Sequence, residues 1–178
     1  MQTCTRSWYV LIHNSACYQS LTERIEALKD VEVYSPCRVV LRKRTDRPSS
    51  IERKLQLFPG YLLLRFDPAV THTTTVTALS GAHGFIRFSD EVCVVPDAVV
   101  DALQNKLRIT PDRWLDCIEC ENLPSDLART LHMIVDLPSD VARKAAFFAF
   151  LQQAAVLERL AARPGAQIYS TLRPRHPR

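Results

Sequence analysis

Apolar and polar residues follow two different periods along this chain of 178 residues. Ser7–His13 is rich in aromatic and β-branched residues, which is typical of a buried strand. Over about residues 16–29, Leu21, Ile25 and Leu28 recur at helical spacing with charged residues between them. This second segment is therefore predicted to be an amphipathic helix with one apolar face.

The middle of the chain predicts further strands joined by turns. Val31–Leu41 has strand character interrupted at Ser35-Pro36, and a basic stretch with turn residues follows it, which indicates an extended hairpin with a mobile, positive tip. A turn followed by an apolar strand is predicted over 57–66, with further strands at 85–88 and 92–95. Helices are predicted over 71–79 and from Pro96-Asp97 to about Leu107. This order predicts an α+β fold in which helices pack on both sides of an antiparallel sheet.

The pattern changes after Ile109. Prolines interrupt residues 109–124, and Ser125 and Ser139 then each precede a helical pattern that they can cap, over 126–137 and 140–163. The last residues carry three arginines and three prolines. The predicted organisation is a domain over 1–108, a linker over 109–124, a helical hairpin over 125–163 and a basic, disordered tail over 164–178.

Composition adds limits on location and partners. Hydrophobic residues make up 47% of the chain and charged residues 24%, which is ordinary for a folded protein. No apolar run approaches the roughly 20 residues that a membrane helix needs, and Trp8–Ile12 is too short for a signal peptide core, so we expect a cytoplasmic protein without a membrane partner. The net charge is only +4, but the segment from Arg38 to Lys54 contains seven basic residues and only two acidic ones.

Motifs for catalysis are absent from the sequence. It contains no glycine-rich phosphate loop and no zinc-protease or serine-hydrolase motif, so we predict no enzyme activity and no cofactor. Cys117-Ile-Glu-Cys120 has the spacing of zinc and redox motifs, but no second cysteine or histidine pair lies nearby in the sequence, so no metal is predicted. A small thiol or metal protein remains an alternative that zinc analysis would decide.

Several short motifs occur in one order and carry a family resemblance. They are Trp8-Tyr9, the turn Leu57–Tyr61, the run Phe66–Thr75, Gly84–Phe88 and Val95-Pro96. Together they resemble the N-terminal domain of the NusG family and, within it, the specialised RfaH-like antitermination factors. The resemblance covers about Ser7 to Leu107.

The resemblance implies a protein that binds bacterial RNA polymerase across its cleft and suppresses pausing and termination. An apolar patch would contact the clamp helices of the largest subunit, and a His-Thr-Thr motif would contact the gate loop of the second-largest. The positions matching the apolar patch are Phe58, Tyr61, Leu63, Val100 and Leu103. The positions matching the polar motif are His72, Thr73 and Thr74. The alternatives are ordinary core positions for the apolar residues and a solvated turn for the threonines.

DNA contact is the third implied property, and here the sequence departs from the pattern. Specialised relatives read the non-template strand with basic residues, but neither residues 13–20 nor residues 75–80 contain a lysine or arginine. The candidates that remain are Asn14, Tyr18, Gln19, Thr75 and Thr77, with Arg42, Lys43 and Arg44 for upstream DNA or phosphate. A free-standing nucleic-acid-binding module that uses the basic hairpin and tail is the alternative function.

The C-terminal region is a second departure. The family normally ends in a KOW β-barrel, whereas no glycine occurs between Gly84 and Gly165, so the ribosome contact of that barrel is in doubt here. In the specialised branch this region can also form a helical hairpin that covers the polymerase-binding patch until DNA releases it. We expect 124–163 to pack on Tyr61, Leu63 and Val100 in a monomer, with a permanently docked cap as the alternative.

Overall fold

The computed structural model describes residues 6–43, 50–106, 117–121, 125–160 and 168–172. Among these residues no helix is long and apolar enough to cross a membrane. The architecture is α+β, as the sequence predicts, with helices packed on an antiparallel sheet.

A five-stranded antiparallel sheet forms the centre of the fold. Its strands are β1 (Ser7–His13), β2 (Glu32–Tyr34), β5 (Tyr61–Phe66), β6 (Ala82–Phe85) and β9 (Val94–Val95). The order is β2-β5-β1-β6, and β9 also pairs with β1. The aromatic and aliphatic run predicted to be a buried strand is therefore the central strand β1.

The two faces of this sheet support two separate apolar clusters. Side chains alternate along a strand, so Trp8 and Val10 point to one face and Tyr9 and Leu11 to the other. Helix α1 (Tyr18–Glu26) covers the second face with Leu21 and is preceded by a 3-10 turn at Ser15–Cys17. Both faces of the sheet are therefore covered, which explains why β1 and β5 are apolar on both sides.

A two-stranded ribbon extends from this sheet where the sequence predicts the basic hairpin. It consists of β3 (Cys37–Lys43) and β4 (Ser50–Gln56), paired in register from Cys37 with Gln56 to Lys43 with Ser50. The predicted tip, which includes Arg44, lies outside the described residues. The hairpin is confirmed, while its mobility stays a prediction.

Shorter elements complete the N-terminal domain. Helix α2 spans Thr73–Thr77, and β7 (Arg87–Phe88) pairs with β8 (Glu91–Val92). Helix α3 spans Asp97–Lys106 and adds Val99, Val100 and Leu103 to the cluster on the Trp8 side of the sheet. The helices predicted at 71–79 and from Pro96 are thus present, the first one shorter than expected.

Two helices form the predicted C-terminal hairpin. They are α4 (Ser125–Asp136) and α5 (Asp140–Leu160), and we call them the helical hairpin. Ser139 caps α5 as predicted, because the amide of Ala142 donates to Ser139 Oγ at 3.3 Å. Leu137, Pro138 and Ser139 lie between the helices, a connection of the length usual between helices that pack on each other.

The predicted linker and tail each contain a strand. Strand β10 (Cys117–Glu121) pairs antiparallel with β11 (Ile168–Leu172), and β10 lies against α3. The expectation of irregular linker and disordered tail is wrong for these residues. The partner strands are separated by the whole helical hairpin, so local sequence pattern could not reveal their pairing.

Candidate functional site

The five residues of the predicted apolar patch lie together on the Trp8 side of the sheet. Phe58 is in the turn before β5, Tyr61 and Leu63 are on β5, and Val100 and Leu103 are on α3. Phe58 and Leu63 are each only 1% exposed, and Tyr61 is partly buried against the same cluster. We call this set of five residues the apolar patch.

The helical hairpin covers the apolar patch. Apolar residues of both of its helices belong to the same buried cluster as the patch: Leu127, Leu131, Ile134, Phe147, Phe150 and Leu151. The ring of Phe147 stacks on that of Phe58 with centroids 4.3 Å apart and planes 15° apart. These helices therefore pack into the buried cluster that contains Leu63 and Val100 and against which Tyr61 packs, in line with the prediction.

A buried guanidinium fastens the helical hairpin to the turn that carries Phe58. Arg143 is fully buried, and its Nε donates to the carbonyl oxygen of Leu57 at 2.7 Å. Its other nitrogens donate to the carbonyl oxygen of Leu137 and the carboxylate of Asp140. Burial lowers the pKa of this group, and the charge of Arg38 adds to the effect. The same side chain thus closes the turn between α4 and α5 and ties α5 to the domain.

Lys144, the next residue, reaches the edge of the apolar patch. Its ammonium lies 5.7 Å from the centroid of the Tyr61 ring, which is a cation–π distance. Burial raises the pKa of the Tyr61 hydroxyl, so this ring is neutral at physiological pH. A lone lysine in a helix gives no sequence signal, and neither Lys144 nor Arg143 is a predicted site residue.

His72, Thr73 and Thr74, which we call the His-Thr-Thr turn, begin helix α2. His72 is the N-cap, and its Nδ1 accepts from the amide of Thr74 at 3.4 Å and lies 2.8 Å from Thr74 Oγ1. An accepting Nδ1 places the proton of the neutral ring on Nε2, which is left free to donate to a partner. His72 and Thr74 are exposed, so this donor is accessible.

The apolar patch and the His-Thr-Thr turn lie on opposite sides of the central sheet. Val76 of α2 is buried in the cluster on the Tyr9 face, whereas Phe58 and Val100 belong to the cluster on the Trp8 face. A partner that contacts both must therefore present two separate elements.

The N-terminal domain matches the model of a known family. The model described as "Transcription termination factor nusG" matches residues 6–104. The chain belongs to the NusG family. Members of this family are transcription elongation and termination factors that bind RNA polymerase. The match includes the apolar patch and the His-Thr-Thr turn, and it ends inside α3, so the helical hairpin lies outside it.

The polar candidates for DNA contact in this NusG-family domain are distributed around the starts of α1 and α2. Asn14 is exposed and its side chain accepts from the amide of Ala16, while Gln19 is exposed and lies 3.4 Å from Glu23. Tyr18 is partly buried beside His13, with ring centroids 5.9 Å apart. The amide of Asn14 donates to the carbonyl of Gly81 at 2.9 Å, which holds the first loop against the segment that follows α2.

The remaining candidates for DNA contact lie on α2 and on the basic hairpin, partly outside the described residues. Thr75 is exposed, and Thr77 is partly exposed with its hydroxyl donating to the carbonyl of Thr74 at 3.3 Å. Arg42 and Lys43 lie on β3, where the structure describes the backbone, and Arg44 lies outside the described residues. Contact with DNA stays a prediction for all of these positions.

The extended backbone of β10 determines how far apart Cys117 and Cys120 lie, and so tests the hypothesis of a thiol or metal site there. Cys117 pairs with Leu172 and Cys120 with Tyr169 in the ladder. Residues three apart on an extended strand are separated by about 10 Å. That separation exceeds the roughly 7 Å limit for a disulfide between α-carbons. Among the described residues, no group of three or more histidine, cysteine or acidic side chains is placed to hold a metal ion.

Proposed function

We propose that this NusG-family protein is a specialised antitermination factor that acts as a monomer on RNA polymerase in the cytoplasm. In this proposal the apolar patch binds the clamp helices of the largest subunit, and the His-Thr-Thr turn contacts the gate loop of the second-largest. Bridging the cleft then suppresses pausing and termination. Support comes from the location of the two features on opposite sides of one five-stranded sheet, which suits a protein that spans a cleft.

We further infer that the described arrangement is a closed form in which the helical hairpin masks the apolar patch. The observation that carries this inference is the stacking of Phe147 on Phe58, together with near-complete burial of Phe58. A polymerase element cannot occupy a surface that another helix already fills. Polymerase binding therefore requires the hairpin to undock. The free energy of hairpin docking opposes the free energy of polymerase binding and lowers the apparent affinity.

The size of this effect can be bounded. Removing a buried phenylalanine side chain usually weakens a packed interface by about 3–5 kcal/mol. Each 1.4 kcal/mol is a tenfold change in an equilibrium constant, so Phe147→Ala would shift the hairpin toward the open form by a factor on the order of 100 or more. Apparent affinity for polymerase should rise in proportion until the open form predominates.

The test compares three full-length proteins for binding to core RNA polymerase: wild type, Phe147→Ala and Phe148→Ala. Phe148 is the control because it is the next residue on α5 but is 39% exposed and contacts Phe88 of the N-terminal domain outside the patch, so its loss should weaken docking much less. We expect Phe147→Ala to bind markedly more tightly than the other two. Equal binding by all three proteins would mean that the hairpin is a permanent cap, and binding by none would contradict the polymerase proposal.

A second pair of variants separates this function from a free-standing nucleic-acid-binding module. Under the polymerase proposal, Tyr61→Ala and His72→Ala, each placed in the Phe147→Ala background, reduce polymerase binding. If the protein is instead a free-standing nucleic-acid-binding module, Arg42→Gln weakens DNA binding and makes it less dependent on salt. Binding to core RNA polymerase is then unaffected.

A further inference from the structure

The turn at Gly60 is a meeting point between the helical hairpin and the loop that precedes α1. Gly60 has a φ of +87°, as a turn with proline before glycine requires. A Cβ atom at this position would lie 3.3 Å from the carbonyl oxygen of His13, 3.5 Å from Ser15 Oγ and 3.8 Å from Lys144 Nζ. The hydroxyl of Ser15 and the ammonium of Lys144 therefore flank one small space beside the glycine.

The ammonium of Lys144 has no counter-ion in the described part of the chain. Its neighbours are the face of the Tyr61 ring and the surroundings of Gly60, and none of the ion pairs among the described residues includes it. The pKa of His13 is lowered chiefly by burial, and the charges of His83 and Lys144 lower it further. Lys144 therefore places one positive charge at this corner, and no described carboxylate is paired with it.

The neighbouring loop supplies hydrogen-bond donors but no cation of its own. Residues 13–20 contain no lysine or arginine, yet they include the exposed Asn14, a candidate to contact a nucleic acid, and beside it the exposed hydroxyl of Ser15. A DNA strand on this loop would lack the basic side chain that usually holds a phosphate. The structure places a basic side chain from a different part of the chain at the edge of the same loop.

We propose that Lys144 of the docked helical hairpin completes the DNA-contact surface, with a DNA phosphate bridging its ammonium and the hydroxyl of Ser15. This inference rests on the DNA contact predicted from the sequence for the loop before α1. It makes the DNA surface composite, formed by the loop before α1 and by α5 together. The contact is electrostatic and independent of base sequence.

The proposal has a consequence for the hairpin. A ligand that contacts Lys144 only while α5 is docked binds the closed form more tightly, so by linkage it favours that form. DNA binding at this corner and exposure of the apolar patch should therefore oppose each other, which is opposite in sign to the release by DNA that the resemblance to the specialised branch implies. DNA should increase the protection of α5 amides from hydrogen exchange.

The test measures the binding of full-length proteins to a labelled, mixed-sequence single-stranded DNA of roughly 12 nucleotides, within the usual range of site sizes. Titrations at several salt concentrations compare wild type with Lys144→Gln, Lys144→Arg and Arg129→Gln. The last variant is the matched control, because it also removes one positive charge from the helical hairpin, from an arginine whose side chain is 70% exposed on α4.

Lys144→Gln should weaken binding roughly two- to fivefold at low salt. It should also reduce the slope of log K against log salt by about 0.7, the value for one phosphate contact with a single strand. Lys144→Arg should keep the wild-type slope. The inference is overturned if Lys144→Gln and Arg129→Gln have the same effect, while failure of wild type to bind DNA would remove the DNA contact itself.

Hydrogen exchange of wild type distinguishes a direct contact from indirect undocking. Addition of the same DNA should raise protection across α5, and Lys144→Gln should lose this response. Unchanged or reduced protection of α5 in the wild type would contradict the composite surface, whatever the affinities.

Discussion

The apolar patch and the His-Thr-Thr turn belong to one domain, yet one is covered and the other is open to solvent. Phe58 is 1% exposed beneath Phe147, whereas His72 and Thr74 are exposed and their side chains contact each other at the start of α2. Water satisfies a row of hydroxyl and imidazole groups at little cost, while an exposed apolar patch promotes association. We infer that the helical hairpin covers the apolar patch and not the His-Thr-Thr turn because exposure to water is unfavourable only for the apolar patch.

Phe58→Ala is the substitution that should most sharply separate the two regions. We expect a loss of about 3–5 kcal/mol in the free energy of unfolding, because it removes a fully buried ring and leaves Phe147 without its stacking partner. Urea unfolding measures the change. Phe148→Ala is the control, and a loss below about 1 kcal/mol is expected there because that ring is 39% exposed.

Arg143→Met should have the next largest effect. The substitution preserves much of the side-chain volume but removes the donors to the buried carbonyl of Leu57 and the part-buried carbonyl of Leu137. We expect about 2–3 kcal/mol of destabilisation together with tighter polymerase binding, since α5 loses its polar tie to the domain. Stability equal to wild type would show that the guanidinium contributes nothing net to docking, and Arg129→Met serves as the exposed control.

Gly60→Ala tests the turn that positions Phe58 and Tyr61. The backbone has φ +87°, and an added Cβ would approach the carbonyl oxygen of His13 to 3.3 Å. A loss of about 1–2 kcal/mol is expected from the left-handed backbone alone. Thermal unfolding measures it, and Gly84→Ala is a useful comparison because a Cβ there meets no atom within 4 Å although its φ is also positive.

His72→Ala should affect function far more than stability. Loss of the N-cap is expected to cost about 0.5–1 kcal/mol, because α2 is short and the ring is exposed. Polymerase binding in the Phe147→Ala background should fall clearly. His72→Asn, which can still cap the helix, should restore stability but not binding, and recovery of both would assign His72 a purely structural role.

The smallest expected effect is a pH dependence from His13. Its Nδ1 donates to the carbonyl of Asn14 and its Nε2 has no partner, and burial lowers the pKa of the ring below its usual value. The unfolded chain therefore binds this proton more readily than the folded one, so stability is complete above the unfolded value near 6.5 and decreases as the pH falls below it. Urea midpoints from pH 8 to 5.5 should show this decrease in wild type and a weaker one in His13→Asn.

Much of the fold followed from local pattern. The aromatic run Ser7–His13, the repeat of Leu21, Ile25 and Leu28, and the capping serine Ser139 each lead to an element that the structure contains. A window of a few residues is enough to distinguish such patterns, because apolar residues recur every second position in a strand and every three to four positions in a helix. Strands β10 and β11 were missed because their stability depends on pairing across the helical hairpin.

The candidate site divides in the same way. The sequence by itself determined the motifs around Phe58 and His72, and with them the family. Only the tertiary structure decided that Phe147 occupies the apolar patch and that Lys144 reaches the corner beside Ser15. Periodicity shows which face of a helix is apolar, but the surface that this face covers depends on contacts between residues far apart in the chain.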